Sequence, residues 1–138
     1  MIMDLGRNIG IGLLVVLLLL AALHIYYAAG GQWGQNIILG RSADPGPLAK
    51  LVVAALCVIG SAIVAARSNL LRLPVGRGVV RGALYAMAAA FAAVAIDNVA
   101  SVTTVERLVF APAAAVLAVA ALLLAASPWP TTSRATYS

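Results

Sequence analysis

Three titratable side chains, His24, Asp97 and Glu106, fall in or beside the apolar segments toward what reads as one end of a helical bundle. Around them the same segment ends carry Tyr26, Tyr27, Trp33, Asn98, Ser101 and Phe110. A carboxylic acid, an imidazole and several aromatic rings suit acid–base work on a lipophilic substrate. The acid supplies a proton, the imidazole accepts or orients one, and the rings stabilise cationic charge. Isomerisation or cyclisation of a prenyl or epoxide substrate needs little more. Asp97 or Glu106 is then the expected general acid and His24 the orienting base. Tyr26, Tyr27, Trp33, Asn98, Ser101 and Phe110 are the expected ligand-binding residues.

Other chemistries find no support in the residue types. There is one histidine and no His-x-x-x-His spacing, so no metal site is expected. Gly30, Gly31 and Gly34 form no Gly-x-Gly-x-x-Gly after a strand, and neither a Gly-x-Ser-x-Gly elbow nor a phosphate-binding loop is present. No cofactor is expected. The lone Cys57 sits within an apolar run, where a small buried hydrophobe is its ordinary role.

The elements that must hold these residues follow from composition. Of 138 residues 64% are hydrophobic and 9% are charged, against roughly 25% charged in a soluble domain. A soluble core of this size would leave much of that apolar surface in water, so the solvent must be lipid. Crossing a hydrocarbon core of about 30 Å takes about 20 apolar residues in a helix. Four segments qualify, spanning about 9–29, 48–66, 82–102 and 108–126. The fold expected is all-α, a four-transmembrane-helix bundle in a single domain over 1–127, with 128–138 as a disordered cytoplasmic tail. The first run resembles a secretory signal, but its length suits a span better.

Residues 30–47 carry glycines, prolines and polar side chains and read as a surface loop, with Trp33 at the interface. Pro128 should end the last helix and Trp129 should anchor it. Placing both termini and the second connection in the cytoplasm puts Arg7, Arg67, Arg72, Arg77, Arg81 and Arg134 inside, with Arg41, Lys50 and Arg107 outside. Six basic residues against three favour this orientation under the positive-inside rule, as for a multi-pass protein of a cytoplasmic membrane. The net charge of +5 is spread along connections with no folded basic face, which argues for anionic headgroups and against nucleic acid.

With that topology, His24 and Asp97 lie at matching depth near the outer ends of the first and third helices, roughly 7 Å in. An intramembrane carboxylate is costly, so Asp97 should face the bundle and have a partner, His24 being the natural one. Small residues mark helix contacts in lipid. Ala86, Ala90, Ala93, Asp97 and Ser101 on the third helix, and Ala111, Ala115, Ala118 and Ala125 on the fourth, should therefore face inward, while Ala88 should not.

The stretch AALHIYYAAGGQWG, residues 21–34, resembles the DUF3995 family of small bacterial four-helix membrane proteins, whose first helix ends in a similar pattern. His24, Tyr26, Gly30, Gly31, Trp33 and Gly34 match it, and Tyr27 stands where the family usually has tryptophan. A second likeness lies at 106–118, where Glu106, Phe110 and Pro112 fit an acidic residue, an aromatic run and a proline opening the last helix. The resemblance implies the four-helix fold and weight for the first motif; it names no activity. Three functions fit the residues. One is an acid–base enzyme with an outer-leaflet pocket for a lipophilic small molecule. The second is a non-catalytic accessory or lipid-binding subunit, as a homo-oligomer or within a larger membrane complex, and the third is a small proton-coupled transporter. Membrane lipid is the partner common to all three.

Overall fold

In lipid the backbone must satisfy its own hydrogen bonds, and a chain with these apolar runs can do so only as helices. The computed structural model describes residues 2–33, 46–101 and 104–129. Among them the order is α1 (Ile2–Ala28), α2 (Gly46–Arg67), α3 (Arg77–Ala100), a π-helical turn (Glu106–Phe110) and α4 (Ala111–Ala126), with no strand. Four helices are long and apolar enough to cross a membrane: Leu5–Ala28, Gly46–Arg67, Arg77–Ala100 and Glu106–Ala126. Met1, residues 34–45 of the loop expected over 30–47, residues 102–103 and residues 130–138 of the tail expected over 128–138 lie outside the described residues.

Two helices start earlier than hydropathy places them, α1 at Ile2 and α3 at Arg77. Apolarity marks where the lipid ends, whereas backbone hydrogen bonding carries a helix beyond it through Arg7, Arg77 and Arg81.

Local sequence sets the helix ends. At the end of α1 the Gly31 N–H donates to the Tyr26 carbonyl and the Gly30 N–H to that of Tyr27, a Schellman cap. Gly30 takes φ +92°, which only glycine adopts without strain. The same cap closes α2, where Leu70 N–H reaches Ala65 O, Asn69 N–H reaches Ala66 O, and Asn69 takes φ 58°. Before α4, Pro112 lacks an N–H and crowds the carbonyl one turn back. The chain there widens to a π turn, in which Ala111 N–H donates to Glu106 O.

Packing is organised as two hairpins. The main contacts run within α1–α2 and within α3–α4, with weaker contacts of α1 with α4 and of α2 with α3; α1 and α3 barely touch. The shared core is Leu13, Leu17, Val64, Val80, Leu84, Ala88, Ala121, Leu124 and Ala125. Its α3 and α4 members lie in the half of those helices nearer Arg67 and Arg77. Gly60 permits the close approach of helices here, since a Cβ would stand 2.9 Å from Met87 Cε and 3.5 Å from Leu17 Cδ1.

The alanine stripe expected to face inward on α3 does not. Ala86, Ala90, Ala93 and Asp97 are exposed, and the buried face is Val80, Leu84 and Ala88, continued by the part-buried Phe91. With alanine at so many positions the small residues carry no phase, and the larger Val80, Leu84 and Phe91 set it. On α4 Ala111 and Ala125 are buried as expected, Ala118 is half-buried and Ala115 is exposed.

The end of the bundle that carries most arginines is tied by Arg67, which is 4% exposed. Its Nε donates to Leu124 O at 3.1 Å, and its Nη2 to Ser127 O (2.7 Å), Ser127 Oγ (2.7 Å) and Pro128 O (2.9 Å). The guanidinium lies 4.6 Å from the centre of the Trp129 ring. A side chain from α2 thus caps the carbonyl end of α4, where a cation also suits the helix dipole.

Candidate functional site

The residues singled out for chemistry fall into two groups, one on each hairpin. The first is the turn after α1. Tyr27, 2% exposed, donates through Oη to Trp33 O at 3.0 Å. The Tyr26 hydroxyl accepts from Trp33 N–H at 3.4 Å, and the two tyrosine rings sit 5.4 Å apart. The Tyr26 ring lies directly on Gly31, where any Cβ would overlap it. Tyr26, Tyr27, Gly30, Gly31 and Trp33 therefore form one clasp that folds the chain back over the helix end. It leaves the Trp33 indole 79% exposed, free to lie at a membrane interface.

His24 stands one turn before this clasp and is half-buried. Its Nδ1 lies 2.8 Å from Leu20 O. A carbonyl only accepts, so Nδ1 carries the proton in this contact.

The second group belongs to the other hairpin. Ser101 Oγ donates to Glu106 Oε2, joining the end of α3 to the start of the π turn. Asn98, half-buried, accepts the Ser101 N–H through its backbone carbonyl at 3.3 Å. Phe110 is the last residue of the π turn and is half-buried. Asp97 is exposed, and among the described residues no hydrogen bond or ion pair engages it. The expected bond between His24 and Asp97 is not formed, because the two residues stand on the helices that barely touch. Asp97 stands three residues from the end of α3, on an exposed face of that helix.

Beside this second group runs an open groove of about 490 Å³, lined by Ala95, Ile96 and Val99 of α3 and by Arg107, Leu108, Ala111, Pro112 and Ala115 of the π turn and α4. Its walls are apolar except for Arg107. The π turn contributes Arg107 and Leu108 to the lining, and Ala111, Pro112 and Ala115 of the following turns complete that wall. Of the lining residues, the sequence pattern singles out Arg107, Ala111, Pro112 and Ala115, none as a binding residue. The one signal for them was a proline just inside an apolar segment. No group of three or more His, Cys, Asp or Glu that could hold a metal ion occurs among the described residues.

Residues 17–114 match the family described as protein of unknown function (DUF3995). The chain belongs to the DUF3995 family. No curated protein and no solved structure matches it. The matched stretch runs from the middle of α1 to the first turn of α4. It holds the tyrosine–glycine clasp, His24, Asp97, the Ser101–Glu106 contact and all of the DUF3995 groove except Ala115. The carbonyls that Arg67 caps, from Leu124 to Pro128, fall beyond it.

Proposed function

We propose that this DUF3995 protein binds a lipophilic small molecule in the groove between the end of α3 and the π turn. The groove carries the reading. Its volume of about 490 Å³ lies in the range of small-molecule sites, roughly 300–1,000 Å³. Its apolar walls suit a hydrocarbon or prenyl chain, and Arg107 offers one fixed positive charge to a polar head. π turns recur at functional sites because they re-aim side chains without breaking the helix.

Acid–base catalysis, an isomerase or cyclase acting on a prenyl or epoxide substrate, is the finer form of this reading. Asp97 follows Ile96 in the groove wall, and Glu106, held by Ser101, precedes Arg107. These would be the proton donors, with Asn98 and Phe110 as neighbouring contacts, and with Tyr26, Tyr27 and Trp33 of the other hairpin in reach only of a ligand that spans both. His24 would take part through Nε2 only if the ligand spans both hairpins. The non-catalytic alternative, an accessory or lipid-binding subunit of a larger assembly, is favoured by the exposed Ala86, Ala90 and Ala93, because small residues allow close helix approach.

The test is photocrosslinking in native membranes, with a benzophenone side chain at Ile96 in the groove or at Val119 on another exposed face. The reading expects one lipophilic adduct at Ile96 and only bulk phospholipid at Val119. Identical bulk labelling at both positions would remove the binding site. With the adduct identified, Asp97→Asn separates the forms, since a catalyst loses turnover while keeping its melting temperature and a simple binder keeps the adduct unaltered.

A further inference from the structure

The exposed side of α3 differs from those of the other helices. On α1, α2 and α4 the exposed positions carry large aliphatics such as Leu19, Leu56, Ile59 and Val116, which suit lipid. Down the exposed side of α3 runs a strip of Gly82, Ala86, Ala89, Ala90 and Ala93 that ends at Asp97. Its members recur at spacings of three and four, and a Cβ added at Gly82 would meet nothing within 4 Å. The exposed Tyr85 and Ile96 flank it on one side and Val94 on the other. The strip is therefore a shallow trough of the kind that lets two helix backbones approach closely.

Alanine alone names no partner, but the charges beside it do. Asp97 lies within a membrane-crossing helix and is exposed, with no hydrogen bond or ion pair among the described residues. An acid in such a helix ordinarily faces protein or a wet cavity and is paired. Arg107, at the same end of the α3–α4 hairpin, is also exposed and is joined to no acid among the described residues. The other charged groups at this end are Glu106, held by Ser101, and Lys50, buried and already engaged. Arg41 and Asp44 of the first connection lie outside the described residues. Within one chain the geometry sets Asp97 and Arg107 apart. Ile96 and Val99 turn toward the groove that Arg107 lines, and Asp97 stands about 100° further round, at the edge of the strip remote from α4.

A second copy of the chain removes that separation. Copies insert with the same orientation, so a two-fold axis along the membrane normal brings the two α3 strips together in parallel, with their charges at one level. The same axis turns the partner's α4 to the opposite flank, the side on which Asp97 stands. Each Asp97 then meets the partner's Arg107, and because a two-fold contact is self-complementary the pair is made twice. We propose that this chain forms a two-fold homodimer through the α3 strip, closed at one end by two Asp97–Arg107 ion pairs between copies. The dimer does not depend on a lipophile in the groove, and its test reads association alone.

The experiment exchanges the charges. Asp97→Arg gives a copy with two cations at the contact and Arg107→Asp a copy with two anions, so neither matches itself, whereas one of each restores both pairs. Full chains tagged with donor or acceptor fluorophores are reconstituted in phosphatidylcholine vesicles over a range of protein-to-lipid ratios, and energy transfer between them is measured. Each variant should associate with itself at least about tenfold more weakly than the wild type, and the mixture should recover to within about threefold. Ala90→Leu should also weaken association at least about tenfold, while Ala113→Leu, at an exposed position of α4 outside the groove lining, should leave it unchanged. Both alanines are exposed, so the monomer in detergent should unfold as the wild type does, which separates lost association from lost folding. If a charge variant loses its helical circular dichroism, the two leucine variants decide alone. A mixture as weak as either charge variant by itself would overturn the proposal and give Asp97 and Arg107 to partners within the chain, Arg41 and Asp44 included. No transfer between wild-type copies at any ratio would overturn it too, as would full self-association of Ala90→Leu.

Discussion

Replacing Arg67 by methionine isolates the cap that joins the two hairpins, because methionine keeps the apolar stem and removes the guanidinium. The side chain is 4% exposed and makes four hydrogen bonds, to Leu124 O, Ser127 O, Ser127 Oγ and Pro128 O. A hydrogen bond to a charged group is worth roughly 1.5–3 kcal/mol, but three of the four share one nitrogen and do not add. Favourable placement at a helix carbonyl end adds up to about 2 kcal/mol. Relief of the guanidinium's desolvation works the other way. The net loss expected is about 3–5 kcal/mol, the range for removing one partner from a buried charged network. Chemical unfolding in detergent, followed by circular dichroism, measures it. Trp129 fluorescence in a Trp33→Phe background should shift at the same time as its cation partner is lost. Arg72→Met, on an exposed loop residue, should cost less than about 0.5 kcal/mol. A loss below about 1 kcal/mol for Arg67→Met, or one no larger than for Arg72→Met, would refute the capping argument.

Three further outcomes are expected. Ala88→Leu should destabilise by roughly 1–3 kcal/mol through overpacking, while Ala90→Leu and Ala93→Leu, on the exposed face, should stay within about 0.5 kcal/mol in thermal unfolding; the reverse order would put the buried face of α3 elsewhere. Gly30→Ala, forced into φ +92°, should cost about 1–2 kcal/mol, and Gly31→Ala should displace Tyr26 and release Trp33, read as increased proteolysis of the turn; no change in either would dissolve the clasp. For topology, a cysteine at Val75 should be shielded from an impermeant thiol reagent in intact cells, and one at Gln32 should react, if the arginine end is cytoplasmic.

The four helices were legible because hydropathy alone identifies a span, and the cap of α1 because a Gly-Gly pair after an apolar run has few other uses. The phase of α3 was not legible, since alanine fits either face and the few larger residues that decide it were outnumbered. Arg67 read as one more topological charge; nothing in its neighbourhood reveals that it meets carbonyls some 60 positions away. His24 and Asp97 matched in depth, but equal depth fixes height along the bundle and leaves the rotation and pairing of helices open. The groove was least visible, because the residues lining it are ordinary aliphatics plus one arginine, and no spacing in the sequence announces the π turn that carries Arg107 and Leu108.

The central claim, a lipophile seated beside the π turn, meets its most direct test in what the protein carries out of the membrane. Wild type and Ala115→Trp, which fills the groove from a position already exposed, are purified in mild detergent, and their bound lipophiles are extracted and identified by mass spectrometry. The wild type should retain one molecular species at close to one per chain, enriched over its abundance in the membrane. Ala115→Trp should lose that species while keeping its melting temperature. Equal retention in both proteins, or a profile matching bulk lipid in each, would contradict the account.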